Sequence, residues 1–211
     1  MFAASKTIFV ALMLALVTVS YEQGAGSPSV EGPEYTADAQ LKLPEHYREW
    51  VYLTSDFYEP PDPTKMQAGD GQRSFNNILA EPSAYRAFLR TGTWPDKTML
   101  LVDVRHAEDM GMSSSAQKGV VQSSQKGVAI HVKDEARFPG KWAFFGFSPG
   151  ATTGKMIPIT SSCYSCHAAR GAEDTTFVQY YPTLLPIAES KNTLNTDYKS
   201  GHEAVPDAQK Q

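Results

Sequence analysis

Both cysteines of this 211-residue chain fall in one five-residue run, Cys163-Tyr164-Ser165-Cys166-His167. C-x-x-C-H is the spacing of a c-type haem attachment site. Each thiol adds across one haem vinyl group, and the two-residue spacer sets the sulfurs at the separation of the two vinyls. The adjacent histidine reaches the iron as axial ligand. A disulfide, a thioredoxin-like redox pair and half of a zinc site are the other readings of two cysteines so placed. A redox pair belongs after an early strand of a βαβ unit, whereas this run lies in the last quarter of the chain. A structural zinc site takes four ligands, and no second cysteine pair completes one.

The N-terminus sets the compartment. Lys6 precedes an apolar run, residues 7–19, that is followed by Ser20. A charged start, a short apolar stretch and a small-residue exit describe a secretory signal peptide, residues 1–20. A run of this length is short of the about 20 residues that span a bilayer, so a retained membrane anchor is the weaker reading. Ser20 and Gly24-Ala25-Gly26 are both candidate cleavage points. No cysteine follows the run to take a lipid. Cytochrome c maturation occurs outside the cytoplasm, so the leader and the C-x-x-C-H run support one another and place the protein in the periplasm, free of the membrane after cleavage. Loss of Lys6 takes the net charge from -4 to -5. Nucleic-acid binding asks for clustered Lys and Arg instead.

The remaining length, about 190 residues, suits one domain with a single core. Residues 21–40 are rich in Gly, Ser, Pro and Glu and read as a flexible leader; residues 189–211 read as a polar tail that frays. The folded unit is therefore expected over 41–188. Within it, 47–54 alternates apolar and polar residues as a strand does, and 58–71, with its prolines and glycines, reads as a loop. Residues 74–80, 98–104, 127–133 and 142–147 read as further strands, with 110–125 as a long hairpin connection. Residues 81–90 form a helix that opens on Pro82 and closes at Gly92. Residues 175–188 have helical spacing broken by Pro182 and Pro186. Strands, one helix, then a helical segment bearing the haem motif give an α+β fold, mostly antiparallel sheet with a few helices. Small all-helical cytochromes c, whose motif lies near the N-terminus, do not match.

Three segments carry a resemblance. Leu43-Pro44-Glu45-His46-Tyr47-Arg48-Glu49-Trp50-Val51, Trp142-Ala143-Phe144-Phe145-Gly146-Phe147, and Asp174-Thr175-Thr176-Phe177-Val178-Gln179-Tyr180-Tyr181-Pro182, with the C-x-x-C-H run between the last two, resemble the cytochrome P-460 family and its relatives, the β-sheet cytochromes c′ (c′-beta). The resemblance implies a mostly antiparallel sheet, a homodimer, and one covalent haem c whose iron is five-coordinate with an open distal face. Two chemistries occur in such proteins. Cytochrome P-460 proper oxidises hydroxylamine, with a lysine cross-linked to the porphyrin and a distal arginine and glutamate, and a cytochrome c can take its electrons. The c′-beta branch lacks the cross-link, has an apolar distal face and binds nitric oxide.

Aligned on that family, Val102 stands at the cross-linking lysine, Asn76 at the distal arginine and Ala129 at the distal glutamate. Lys97 could serve only if displaced from the preceding turn, and Arg73 only after a register slip. Val102 and Ala129, with Phe75, make an apolar wall that holds no base for the proton removal that hydroxylamine oxidation needs. Such a wall admits small diatomics and disfavours hydrated anions. Ferrous haem with a histidine ligand binds NO without distal help, whereas O2 gains from a hydrogen-bond donor. The expected ligand is thus NO or CO, with hydroxylamine oxidation as the alternative activity.

Other candidates read more simply. His131 is expected at the surface or on a sheet face, opposite Ile130, rather than as a sixth ligand; His46 and His106 are expected at the surface. Met99, Met110, Met112 and Met156 are possible axial ligands in kind, but methionine also fills gaps in cores. Trp50, Trp142, Tyr180 and Tyr181 are expected to pack around haem and sheet, and Arg48 to pair with a haem propionate or a carboxylate.

Overall fold

The computed structural model describes residues 32–59, 73–110 and 119–203. The predicted signal peptide, most of the predicted leader, most of the 58–71 loop, part of the 110–125 connection and Met112 lie outside the described residues. Seven strands make one sheet, β1 (Leu41–Lys42), β2 (Val51–Tyr58), β3 (Ser74–Ala80), β4 (Met99–Asp109), β5 (Val120–Lys133), β6 (Trp142–Phe147) and β7 (Thr153–Met156), in the order β1-β7-β6-β5-β4-β3-β2. Every pairing is antiparallel. Helix α1 (Pro82–Thr91) follows β3, and α2 (Ser162–Arg170), α3 (Leu185–Lys191) and α4 (Thr196–Glu203) follow the sheet. The α+β expectation holds.

Side chains alternate across the sheet, and β5 shows the consequence. Val128, Ile130 and Val132 point to one face, where they pack with Leu101, Phe145, Tyr47 and Trp50. Ala129, His131 and Lys133 point to the other. On that second face Ile78, Leu100 and Trp142 meet Phe88 of α1, Leu184 just before α3 and Ala188 within it. The register aligns Ala80, Leu100, His131 and Phe144 in one row across four strands, and Ile78, Val102, Ala129 and Gly146 in the next.

Helix α1 starts where its sequence says. The Glu81 carboxylate caps it by accepting from Ser83 N and Ala84 N, both at 2.8 Å, and Pro82 fills the first turn, where its missing N–H costs nothing. Gly92 ends it at φ 76°, a conformation glycine adopts without a Cβ penalty.

Four expectations are corrected at the edges. Residues 47–49 are a 3-10 turn, and the strand begins at Val51; Tyr47 and Trp50, three apart, both reach the far-face core, a turn's spacing that resembles alternation. The leader is ordered from residue 32 onward: Tyr35 pairs with Leu41 and lays its ring against Phe145 at 5.9 Å. The chain also stays folded beyond residue 188. Asn192 turns it at φ 59°, Leu194 is buried and Tyr198 of α4 packs partly buried against the same core, so two apolar side chains anchor a segment of polar composition. The connection 110–125 is shorter than expected, because β4 runs to Asp109 and β5 starts at Val120.

Ile130 is fully buried on the face away from α2. Ile130→Ala should lower stability by about 2–5 kcal/mol, read from urea unfolding, while leaving the visible spectrum of the haem-loaded protein unchanged.

Candidate functional site

Helix α2 gathers the C-x-x-C-H run. Cys163 and Cys166 are one turn apart and His167 lies four residues from Cys163, so helical geometry puts all three on one side. Ser161 caps the helix, its Oγ accepting from Cys163 N at 3.4 Å. Tyr164, in the spacer, pins α2 to the sheet: its hydroxyl accepts from Phe144 N at 3.2 Å and donates to Ile157 O at 3.0 Å. Both thiols are free, which removes the disulfide reading. Among the described residues no group of three or more His, Cys, Asp or Glu gathers as a metal cluster would.

Cys163, Cys166 and His167 open onto a cavity of about 580 Å³ between α2 and the second face of the sheet. That volume lies within the range of cofactor pockets, about 300–1,000 Å³. Asn76, Val102 and Ala129 line the same cavity, together with Ile78, Leu100 and Phe144. Among the described residues lining it there is no Lys, Arg, Asp or Glu. Phe75 is the exception among the sequence candidates. The pleat turns it to the opposite face, where its ring packs on Phe57 at 5.0 Å; a one-residue step along a strand always exchanges faces.

The donor set fits a haem. His167 Nδ1 lies 2.8 Å from Thr175 O. A carbonyl only accepts, so Nδ1 carries the proton and Nε2 keeps its lone pair for iron. Such an outer-shell acceptor fixes the ring and raises the basicity of the ligating nitrogen. Burial holds the His167 pKa below the usual histidine range, in spite of the Thr175 bond, which favours the charged form. The ring is packed by Phe177 at 4.3 Å and Phe144 at 4.7 Å.

His131 stands on the cavity face, opposite Ile130 as expected, but it is buried. Its ring stacks parallel on Phe144 at 4.0 Å, touches Trp142 at 4.3 Å and meets His167 edge-on at 5.1 Å. Burial, and then His167, push its pKa well below the usual histidine range. It is a neutral wall of the His167 side.

The loop after α2 is what presents Thr175 O. Asn195 Nδ2 donates to Gly171 O and to Asp174 O, each at 2.8 Å. Asp174 Oδ2 accepts from Trp142 Nε1 at 2.7 Å and lies 3.0 Å from Lys133 Nζ. Lys133, itself buried, also donates to Trp94 O at 2.9 Å. A buried lysine left alone would be costly; here Asp174, the Trp94 carbonyl and, at 3.7 Å, Glu135 satisfy it.

Several further candidates fall away from the cavity. Lys97 pairs with Asp134, and Arg73 with Asp109 at 3.0 Å. Arg48 takes its carboxylate reading, 4.0 Å from Asp103. Met99 is buried in the far-face core, and Met110 and Met156 are exposed. Trp50 packs in the far-face core, Trp142 on the cavity face, and Tyr181 lines the cavity. Tyr180 is 66% exposed. His46 is exposed and His106 half-buried. Sequence reasoning missed Phe177 and Ile157 as lining residues and the Asp174 clamp on the loop. Phe177 was within reach as the aromatic ten residues after His167.

Gly171 ends α2 where a Cβ would lie 2.8 Å from Thr175 C, 2.9 Å from His167 O and 2.9 Å from Thr176 N. All three are backbone atoms, so Gly171→Ala should push the loop off α2 and break the His167–Thr175 bond. The expected result is a lower iron–histidine stretching frequency in the reduced haem-loaded protein, read by resonance Raman, with a stability loss of about 1–3 kcal/mol.

Glu173 is 4% exposed, with Oε2 lacking a partner among the described residues. Burial, then the Asp174 charge, raise its pKa from 4.5 to about 8. Below 4.5 the carboxyl is protonated folded or unfolded. Between 4.5 and about 8 only the unfolded chain releases the proton, so stability falls as pH rises through that window. Glu173→Gln stays neutral, and its stability relative to the parent should rise across the same window in urea titrations. A pH-independent difference would rule the assignment out.

No curated protein matches the chain. The family model described as Cytochrome P460 matches residues 44–178, more than half of the chain, from the turn before β2 to the residue after Phe177. The chain belongs to the cytochrome P460 family of haem cytochromes.

Proposed function

We propose that this chain is a periplasmic mono-haem c cytochrome of the c′-beta kind, with haem held by thioether bonds to Cys163 and Cys166 and His167 as axial iron ligand. Its function is to bind nitric oxide, or another small diatomic such as CO, at the end of the cavity away from His167. The observation that carries this reading is the wall formed by Val102 and Ala129 in the cavity onto which the C-x-x-C-H run opens.

Bound haem supplies an iron site for the diatomic and a change of redox state. The chain's own residues do the rest. Thr175 O holds the proton on His167 Nδ1 and so keeps Nε2 directed as a ligand. Phe144 and Phe177 limit the ring's rotation. Ile78, Leu100, Val102 and Ala129 give a surface that offers hydrated anions nothing in return for lost hydration. Hydroxylamine oxidation would need a base near the substrate to take protons, and among the described residues no carboxylate lines the cavity. Lys97, the displaced candidate for a porphyrin cross-link, is engaged by Asp134. Secretion by the N-terminal signal, a homodimer and a partner cytochrome complete the reading. Among the described residues no helix is long and apolar enough to cross a membrane.

An optical spectrum of the reduced, matured protein tests it. The expected result is a five-coordinate high-spin haem whose spectrum changes on adding NO. A red-shifted ferrous Soret band would indicate the cross-linked, hydroxylamine-oxidising type. A low-spin spectrum indifferent to NO would leave plain electron transfer. Replacing both Cys163 and Cys166 by Ala should release the haem under denaturing gel electrophoresis with haem staining, where the parent retains it.

A further inference from the structure

The family alignment puts Asn76 where an arginine is expected, which reads as the loss of a polar group. The structure gives the position a different value. Asn76 lines the cavity, and directly across the β2–β3 pairing stands Asp56. Asn76 Nδ2 donates to Asp56 Oδ1 at 2.6 Å. A carboxylate can only accept, so this bond fixes which end of the amide is nitrogen. Asp56 lies on the edge strand and is exposed. A hydrogen bond to a charged acceptor is short and strong, and it polarises the amide that makes it. Of the two hydrogens on Nδ2, Asp56 takes one.

The register places this amide relative to His167. Asn76 pairs with Val104, whereas His131, which touches His167, pairs with Leu100. Four residues along the strands and two strands across separate Asn76 from His131 by about 17 Å between Cα atoms. Asn76 and His167 therefore approach the cavity from opposite ends. Between them the sheet contributes Ile78, Val102 and Ala129, which carry no donor.

We propose that Asn76, oriented by Asp56, is the specificity-determining donor of this cavity, its second Nδ2 hydrogen meeting the outer atom of a diatomic ligand held opposite His167. The proposal rests on the diatomic-binding reading above and shifts its preference: a donor favours a ligand whose outer atom builds negative charge, so NO gains more than CO, and O2, which the apolar wall alone disfavours, gains as well. Asp56 is a positioning residue. Tyr181 lines the same cavity, and burial, then Asp56, keep its phenol protonated, which makes it the natural control.

The haem-loaded protein is reduced, treated with CO and examined by infrared spectroscopy, as parent and as Asn76→Leu, Asp56→Ala and Tyr181→Phe. A donor beside the ligand lowers the C–O stretching frequency, so Asn76→Leu should raise it and Asp56→Ala should broaden or raise it. Tyr181→Phe should leave it in place. Loss of one hydrogen bond should also speed O2 release about five- to tenfold in Asn76→Leu. Asp56→Ala changes an exposed edge position and keeps the test readable if Asn76→Leu does not fold. An unchanged frequency in both variants, with CO bound, overturns the role of Asn76 and leaves the diatomic reading standing. A shift in Tyr181→Phe alone also overturns it. Failure of the parent itself to bind CO overturns the diatomic reading, and this proposal with it.

Discussion

The hydrogen bond from His167 Nδ1 to Thr175 O sets the conditions for everything around it. A histidine can serve iron through Nε2 only when the other nitrogen holds the proton, and a backbone carbonyl is the acceptor that enforces this most rigidly. That carbonyl lies eight residues downstream, so the chain must double back against α2 at once. Gly171 permits the close approach, since its missing Cβ leaves room for three backbone atoms. Asn195 ties Gly171 O to Asp174 O, and the Asp174 side chain is itself held by Trp142 and Lys133. The C-terminal helices, polar in composition, therefore belong to the site through Asn195.

The sheet supplies the opposite wall, and its alternation divides the labour. Odd positions of β4 and even positions of β5 build the far-face core; their neighbours, Leu100, Val102, Ala129 and His131, face α2. One strand thus contributes at once to stability and to the cavity, without either set of side chains touching the other. Ile130 and His131 are adjacent in sequence and on opposite sides of the sheet, which is why Ile130 can be treated as pure core. The same division keeps the far-face ion pairs of Asp103 and Asp134 away from the cavity, where a stray charge would be desolvated at high cost.

Much of this was legible in the sequence. The strands rich in β-branched and aromatic residues, the Pro82–Gly92 helix and the grouping of Val102, Ala129 and Asn76 follow from local pattern and the family resemblance. What escaped reading depends on contacts distant in sequence. Phe75 and Asn76 differ by one position, and only the register with β4 decides which of them turns to α2. Tyr47 and Trp50 looked like strand residues because burial at i and i+3 in a turn also alternates with polar positions. Tyr35 and Leu194 are single apolar residues in polar stretches; no period marks them, and only the partner surface shows that they are buried. Asp56 carried no local signal, since its value to the site arises from the β2–β3 pairing.

The absence of Lys, Arg, Asp and Glu among the described residues of the cavity wall bears on the two chemistries of the family. Oxidising hydroxylamine removes protons together with electrons, and a proton needs a basic acceptor within hydrogen-bond reach. Among the described residues the titratable lining groups are His167, His131, Tyr181 and the two cysteines. In the proposed holoprotein His167 and the cysteines are committed to the haem. His131 is a weak base, buried against His167 at the wrong end, and the Tyr181 phenol is held protonated. Asn76 can donate or accept a hydrogen bond but cannot take a proton at ordinary pH. A wall whose described residues offer one amide and no carboxylate can stabilise a ligand's charge, and that is the asymmetry on which the proposed binding role rests.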